Sequence, residues 1–273
     1  MKSDLIRDPS NVDASFPPGM SPLFFDGRLL GLIYLANGKG PHKTLVLLHG
    51  FPGNEKNLDI AHMLSRGGIN VLIFHYSGCW GSRGSYSFGQ AYADLRTVRK
   101  AIADEGFSGL NRIDRDRVFL AGHSIGGFLT LLAARDHMDF RGFAPLAPYN
   151  LSLQADRIEA GETGAFEETF DLFSCGLNPL DGATAESLLA EIRERRKEWD
   201  LLENPESFRV SDMLLVIASL DTVARPPIHQ VPLAEMLNRA GGRKKVLELS
   251  CSHDFSERRI ALAEALYEWL EDR

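Results

Sequence analysis

The sequence predicts a doubly wound α/β fold, with a mostly parallel sheet and a helical lid inserted past its middle. Three observations carry this. Residues 44–49, 71–74, 118–121 and 213–218 form short apolar runs, and strands apolar on both faces belong inside a parallel sheet covered by helices. Between them, residues 58–66, 91–103 and 128–136 repeat their apolar positions with helical period, so strand and helix alternate as a doubly wound sheet requires. After Phe143-Ala144-Pro145-Leu146-Ala147 the alternation stops, and it resumes only at Met213.

Taken in order, residues 1–21 are polar, with Pro17-Pro18, and are expected to form a loosely held arm. Leu23-Phe24-Phe25 and residues 29–35 flank Asp26-Gly27, the signal of a hairpin, so two antiparallel strands should open the sheet. The core strands and helices follow through residue 149. Residues 150–209 read as the lid. Phe166, Phe170 and Phe173 fall on one helical face, and a second helix is expected over residues 185–202, with Leu188, Leu189, Ile192, Trp199 and Leu202 near helical spacing. Residues 210–273 return to the core, with a strand at 246–249 and a closing amphipathic helix whose apolar side is read as Ile260, Leu262, Ala263, Leu266, Tyr267, Trp269 and Leu270. The expected division is therefore 1–149, 150–209 and 210–273.

Composition sets the bounds. The chain has 273 residues, 44% hydrophobic and 25% charged, enough for a large core, and its net charge of -7 argues against nucleic acid as a partner. Cys79, Cys175 and Cys251 are odd in number and form no C-x-x-C, so neither a disulfide framework nor a zinc cluster is expected. Met1–Asp8 has no long apolar core, which argues against a signal peptide. No run approaches the ~20 apolar residues of a membrane span. A cytoplasmic protein with no membrane or nucleic-acid partner, acting on a small molecule or a peptide, is the expectation.

Gly122-His123-Ser124-Ile125-Gly126 stands where a buried strand passes into a helix. In that context G-x-S-x-G marks a turn so tight that the serine is strained and its hydroxyl stands free. Side chains at 122 or 126 are expected to collide there, which calls for glycine.

With this motif the chain resembles the α/β-hydrolase serine hydrolases, over about residues 22–271. The resemblance implies the chain order nucleophile, acid, base. Asp221 follows the strand at 213–218 and His253 follows the strand at 246–249, so both should emerge on the rim that carries Ser124. A serine hydroxyl needs a base to take its proton, His253 supplies one, and Asp221 would hold the histidine tautomer. Asp254 and Asp200 are rivals for the acid. Asp254 adjoins the histidine and cannot easily reach its ring, and Asp200 lies in the lid.

The oxyanion of the tetrahedral intermediate needs two donors. One is expected from the backbone N–H of Ile125, at a helix N-terminus. His49-Gly50-Phe51-Pro52-Gly53 resembles the family's oxyanion loop and points to the N–H of Phe51, since Pro52 has none to give. His49 is read as a brace for this loop. Residues 77–88 resemble the Gly-rich loop of esterase-like and peptidase-like members. Trp80 and Tyr86 there, with Phe166 and Phe170 in the lid, are the candidate substrate-binding side chains. Cys79 lies outside the elbow. The glycines lack G-x-x-x-x-G-K-[ST], so no phosphate loop is present. No cofactor and no metal are called for. The expected activity is hydrolysis of an ester, thioester or amide through an acyl-enzyme on Ser124. A carboxylesterase for small neutral substrates is favoured over an aminopeptidase-like or acyl-peptide hydrolase. A catalytically inactive binding module on the same fold is the more remote reading.

Overall fold

The computed structural model describes residues 5–273; the first four residues of the expected arm lie outside the described residues. The sheet opens with β1 (Gly19–Phe25) and β2 (Leu29–Leu35), paired antiparallel. Asp26 and Gly27 join them with φ of 51° and 64°, the two left-handed residues that a tight hairpin turn of the sheet's own twist requires. β2 also pairs antiparallel with β4 (Asn70–Phe74). The remaining neighbours are parallel: β3 (His42–Leu48), β5 (Ile113–His123), β6 (Phe143–Leu146), β7 (Met213–Ala218) and β8 (Lys244–Leu249). The order across the eight strands is β1-β2-β4-β3-β5-β6-β7-β8.

Side chains alternate between the two faces of each strand, and the core divides accordingly. Leu45 and Leu47 of β3, with Leu214, Val216 and Ala218 of β7, pack under α1 (Leu58–Arg66) and α9 (Arg259–Glu271). Val46 and Leu48, with Met213, Leu215 and Ile217, face α2 (Phe88–Ala103), α4 (Ile125–Arg135) and α8 (Val231–Ala240). The sequence reading had placed no helix at α8 or at the short α3 (Glu105–Leu110). Prolines obscure α8, yet Pro232 falls in its first turn, where a missing N–H costs no helical bond.

Two further expectations are corrected. The described part of the arm is docked: Leu5 is fully buried, and its carbonyl accepts a hydrogen bond from Arg66 Nε at 2.9 Å. A lone leucine in a polar segment gives no periodicity from which to read that burial. The expected second lid helix stops early.

The lid consists of α5 (Leu151–Glu159), α6 (Ala165–Cys175), α7 (Ala185–Arg195) and a short 3-10 turn at Pro205–Phe208. α7 ends before Trp199 because Trp199 and Leu201 are both buried, and residues two apart cannot share one face of a helix. Their side chains join Leu188, Leu189 and Ile192 in the same core cluster as α2 and α4. The lid therefore shares the core of the sheet.

Candidate active site

Ser124 stands between β5 and α4 with φ 57° and ψ -117°, a sparsely populated conformation held only by its surroundings. A Cβ at Gly122 would lie 2.1 Å from the Gly126 carbonyl oxygen, and one at Gly126 would lie 2.7 Å from the carbonyl oxygens of Leu48 and His49. Both glycines are thus sterically required. The Ser124 N–H donates to the Leu146 carbonyl at 2.9 Å, and its own carbonyl accepts from Phe128 and Tyr149. Backbone bonds to β6 and α4 fix the turn, leaving the side chain free of that task.

Asp221 and His253 come from the loops after β7 and β8. The ladder between these strands continues into the loops, with Ser219 N–H on the Leu249 carbonyl and Leu220 N–H on the Cys251 carbonyl. This brings the two side chains together, His253 Nδ1 lying 2.6 Å from Asp221 Oδ2. The Asp221 side chain is wholly buried. Its Oδ1 accepts from the N–H groups of Val223 and Ala224, both at 2.8 Å, and its Oδ2 also accepts from Gln230 Nε2 at 3.0 Å. The rivals lie elsewhere. Asp254 accepts from the hydroxyls of Ser252 and Ser256, and Asp200 caps the turn to Leu202 and Glu203.

His253 shares a cavity of about 230 Å³ with Ser124, Gly50 and Phe51. With Nδ1–H committed to a carboxylate, Nε2 is the basic nitrogen of the neutral ring. His123, the residue before Ser124, holds His253 from behind: its Nε2 donates to the His253 carbonyl at 2.8 Å, and the two rings lie 4.7 Å apart. Burial pushes the His123 imidazole down to about 3, with the neighbouring His253 adding to the effect, so His123 stays neutral and serves as a donor. Sequence reasoning passed over His123, whose only signal was its place inside the motif.

The loop after β3 runs against Ser124. A Cβ at Gly50 would lie 2.8 Å from Ser124 Cβ, so only glycine permits the approach. His49 Nδ1 donates to the Gly50 carbonyl at 2.7 Å, and Tyr76 OH donates to the His49 carbonyl at 2.9 Å. Burial first, then His75 and Lys56, lower His49 to about 3. It is a neutral brace for the loop. Ile125 begins α4, whose first-turn N–H groups have no helical acceptor.

The four candidate substrate-binding side chains are placed differently from one another. Trp80 is 38% exposed and lies over the same loop, donating from Nε1 to the Pro52 carbonyl at 2.8 Å with Lys56 Nζ 3.5 Å from its ring centre. Tyr86 is buried among Phe51, Tyr76 and Phe88, with ring centres 5.8 to 6.4 Å away. It packs the core beneath the loop and does not line the cavity that holds Ser124 and His253. Phe166 and Phe170 stack on each other at 6.0 Å, Phe166 45% exposed. The buried stripe of α6 is instead Ala165, Thr169 and Phe173. Gln154 Nε2 bonds Thr169 Oγ1 and the Ala165 carbonyl, and that pairing turns the helix so that Phe166 points outward. Burial drives the Cys79 thiol up to about 12, so it remains protonated.

A larger cavity, about 460 Å³, lies under the lid between α6 and the loop after β7. Its floor is the stacked pair of Tyr149 and His229, with ring centres 4.1 Å apart, and Glu168, Leu172, Val223 and Arg225 wall it. Ser124 and His253 lie in the smaller cavity. Among the described residues no cluster of three or more His, Cys, Asp or Glu is arranged to hold a metal, and no helix is long and apolar enough to cross a membrane.

Comparison with known proteins agrees with this architecture. A proline iminopeptidase of Saccharolobus solfataricus is 32% identical over 122 residues, covering 41% of this chain and 36% of that protein. A thermostable monoacylglycerol lipase of a Bacillus species is 28% identical over 128 residues, covering 45% and 46%. The matched segments thus span less than half the length of either relative. A puromycin hydrolase structure superposes with a TM-score of 0.69 at 20% identity, over 98% of this chain and 41% of that one, a likeness of fold. Residues 45–265 match the profile of the alpha/beta hydrolase family, and the chain belongs to that family.

Proposed function

We propose that the chain is a serine hydrolase that cleaves an ester, thioester or amide through an acyl-enzyme on Ser124. The 2.6 Å contact of His253 Nδ1 with the buried Asp221 carboxylate carries this reading, because His253 also lines the cavity that contains the strained Ser124. In the proposed reaction His253 Nε2 takes the Ser124 proton as Oγ attacks the carbonyl carbon. The N–H groups of Phe51 and Ile125 bind the oxyanion. The imidazolium, stabilised by Asp221, returns its proton to the leaving alkoxide, thiolate or amine, and the acyl-enzyme then passes to water with His253 again as base. Small neutral carboxylic esters are the favoured substrates, since the cavity that holds Ser124 and His253 is small, about 230 Å³.

One observation favours a second reading. Glu55 and Asp254 border the cavity of Ser124, with Arg259 3.8 Å from the Glu55 carboxylate, and two acidic residues there suit a substrate ammonium and hence an aminopeptidase-like enzyme, as the proline iminopeptidase similarity also suggests. Labelling with a fluorophosphonate, followed by mapping of the adduct, tests the common mechanism. An adduct on Ser124 is expected, and an unlabelled protein would favour a binding module. Matched p-nitrophenyl esters and aminoacyl p-nitroanilides then separate esterase from aminopeptidase.

A further inference from the structure

Gln230 is fully buried beside the acid. It belongs to the π-helical turn Pro226–Gln230 that precedes α8. Its Oε1 accepts from the Ala218 N–H at 3.0 Å, and its Nε2 donates to the Ala224 carbonyl at 2.6 Å and to Asp221 Oδ2 at 3.0 Å. One amide therefore ties the end of β7 to the far side of the acid loop and touches the carboxylate between them. It reaches the same oxygen that receives His253 Nδ1–H.

We infer that Gln230 is a positioning residue of the hydrolase, locking the Asp221 carboxylate in the plane that serves His253. The inference rests on the reading of Ser124, His253 and Asp221 as a triad. Two backbone N–H groups restrain Oδ1, and Gln230 adds a donor to Oδ2 beside His253 Nδ1–H, so both oxygens are held and the plane of the carboxylate stays fixed when the imidazole shifts. A neutral donor is suited to the place, because it fixes the oxygen without adding charge beside the imidazolium that forms during turnover. The wider turn of a π-helix widens the backbone at that point, a feature often found at functional sites. Other titratable and charged groups near this end of β7 are the buried His229 and Arg225 on the same turn, Arg157 of α5 facing His229, and Cys251 and Asp254 of the loop after β8.

The test uses two variants, with active sites counted by fluorophosphonate so that unfolded protein drops out of the rate. Gln230→Met fills the space without a donor. Its kcat per titrated site should fall by about 10²-fold, the cost of a small misplacement in a reacting constellation, with KM within twofold of wild type. Gln230→Glu keeps the acceptor for the Ala218 N–H, and in its protonated form it can donate to Asp221. It should hold kcat within a few fold of wild type at low pH and lose it as the proton leaves, because two carboxylates then face each other. That alkaline limb should be absent from wild type and from Gln230→Met. Wild-type kcat per titrated site for Gln230→Met would overturn the inference, as would a Gln230→Glu profile parallel to wild type. A different outcome marks failure of the triad itself: Ser124→Ala, run alongside, would still label and turn over.

Discussion

At the rim of the sheet, Asp221 is buried to the last atom of its side chain and meets His253 at 2.6 Å. In the lid above, Glu168 meets Arg225 at the same distance, with their side chains 52% and 42% exposed. The exposed pair is screened by water and contributes roughly 0–1 kcal/mol. The buried pair has no solvent to fall back on, so removing one partner strands the other. The two regions differ in the same way throughout. Residues 150–209 carry 14 acidic and 6 basic residues, a net of -8, whereas the rest of the chain carries 23 and 24. Many lid charges are tied in surface pairs such as Arg157 with Glu162 and Arg193 with Glu159. Under the proposed mechanism, contacts at the rim set the chemistry, while the lid's charges would act at a distance as a field.

The largest test of this contrast removes the reacting atom. Ser124→Ala should abolish fluorophosphonate labelling and lower turnover by about 10⁶-fold, as loss of a triad nucleophile can, with folding intact. Near wild-type turnover would move the reaction to another group. Next, Asp221→Asn should cost up to about 10⁴-fold through the wrong histidine tautomer. Asp254→Asn, whose carboxylate bonds only neighbours on its own loop, should cost far less. Steady-state kinetics of the two would assign the acid to Asp254 if the ranking reversed.

The rim should also make stability depend on pH. Burial lowers His49, His123 and His229 to about 3 and His75 to about 4. Their folded values lie below the unfolded one, so the unfolded chain binds more protons as acid is added. Their stabilising contribution is complete above about pH 6.5 and is lost as pH falls toward the folded values. Each adds a slope of up to ~1.4 kcal/mol per pH unit. Calorimetry from pH 7 to 5 should show a falling Tm, with a shallower slope in His229→Gln. A flat Tm would mean that these rings are not held neutral.

The smallest effect belongs to the lid. Its field should favour cationic over anionic acyl substrates by roughly tenfold in kcat/KM at low salt, through encounter rates. The preference should vanish in 1 M salt, where the Debye length is roughly 3 Å. Equal rates at low salt would reduce the lid's acidity to a matter of solubility.

The sequence carried the sheet because buried strands such as Leu214–Ala218 and the hairpin at Asp26-Gly27 are local signals, complete within a few residues. The same holds in part for Ser124: Gly122 is needed by the carbonyl of Gly126, four residues on, whereas Gly126 is needed by the carbonyls of Leu48 and His49, which only the fold brings near. Gln230 and His123 were not legible in this way. Each acts through partners that only the folded chain brings near, nine residues away for one and 130 for the other. On α6, helical spacing groups Phe166, Phe170 and Phe173 without ranking their burial: Phe173 is fully buried, Phe170 packs in part against the core and Phe166 is 45% exposed. The bond of Gln154 to Thr169 helps to set that rotation, and no periodicity records it.

Phe51 links the two regions. Its backbone belongs to the loop beside Ser124, while its ring packs 5.5 Å from Phe173 of α6. At the end of that helix, a Cβ on Gly176 would lie 2.2 Å from the Phe51 ring. The ring works as a strut between roof and rim. A single methyl group added to the roof at Gly176 would thrust on the strut and tilt the peptide beside the nucleophile, so a lesion in the lid would surface as a fault in the loop below.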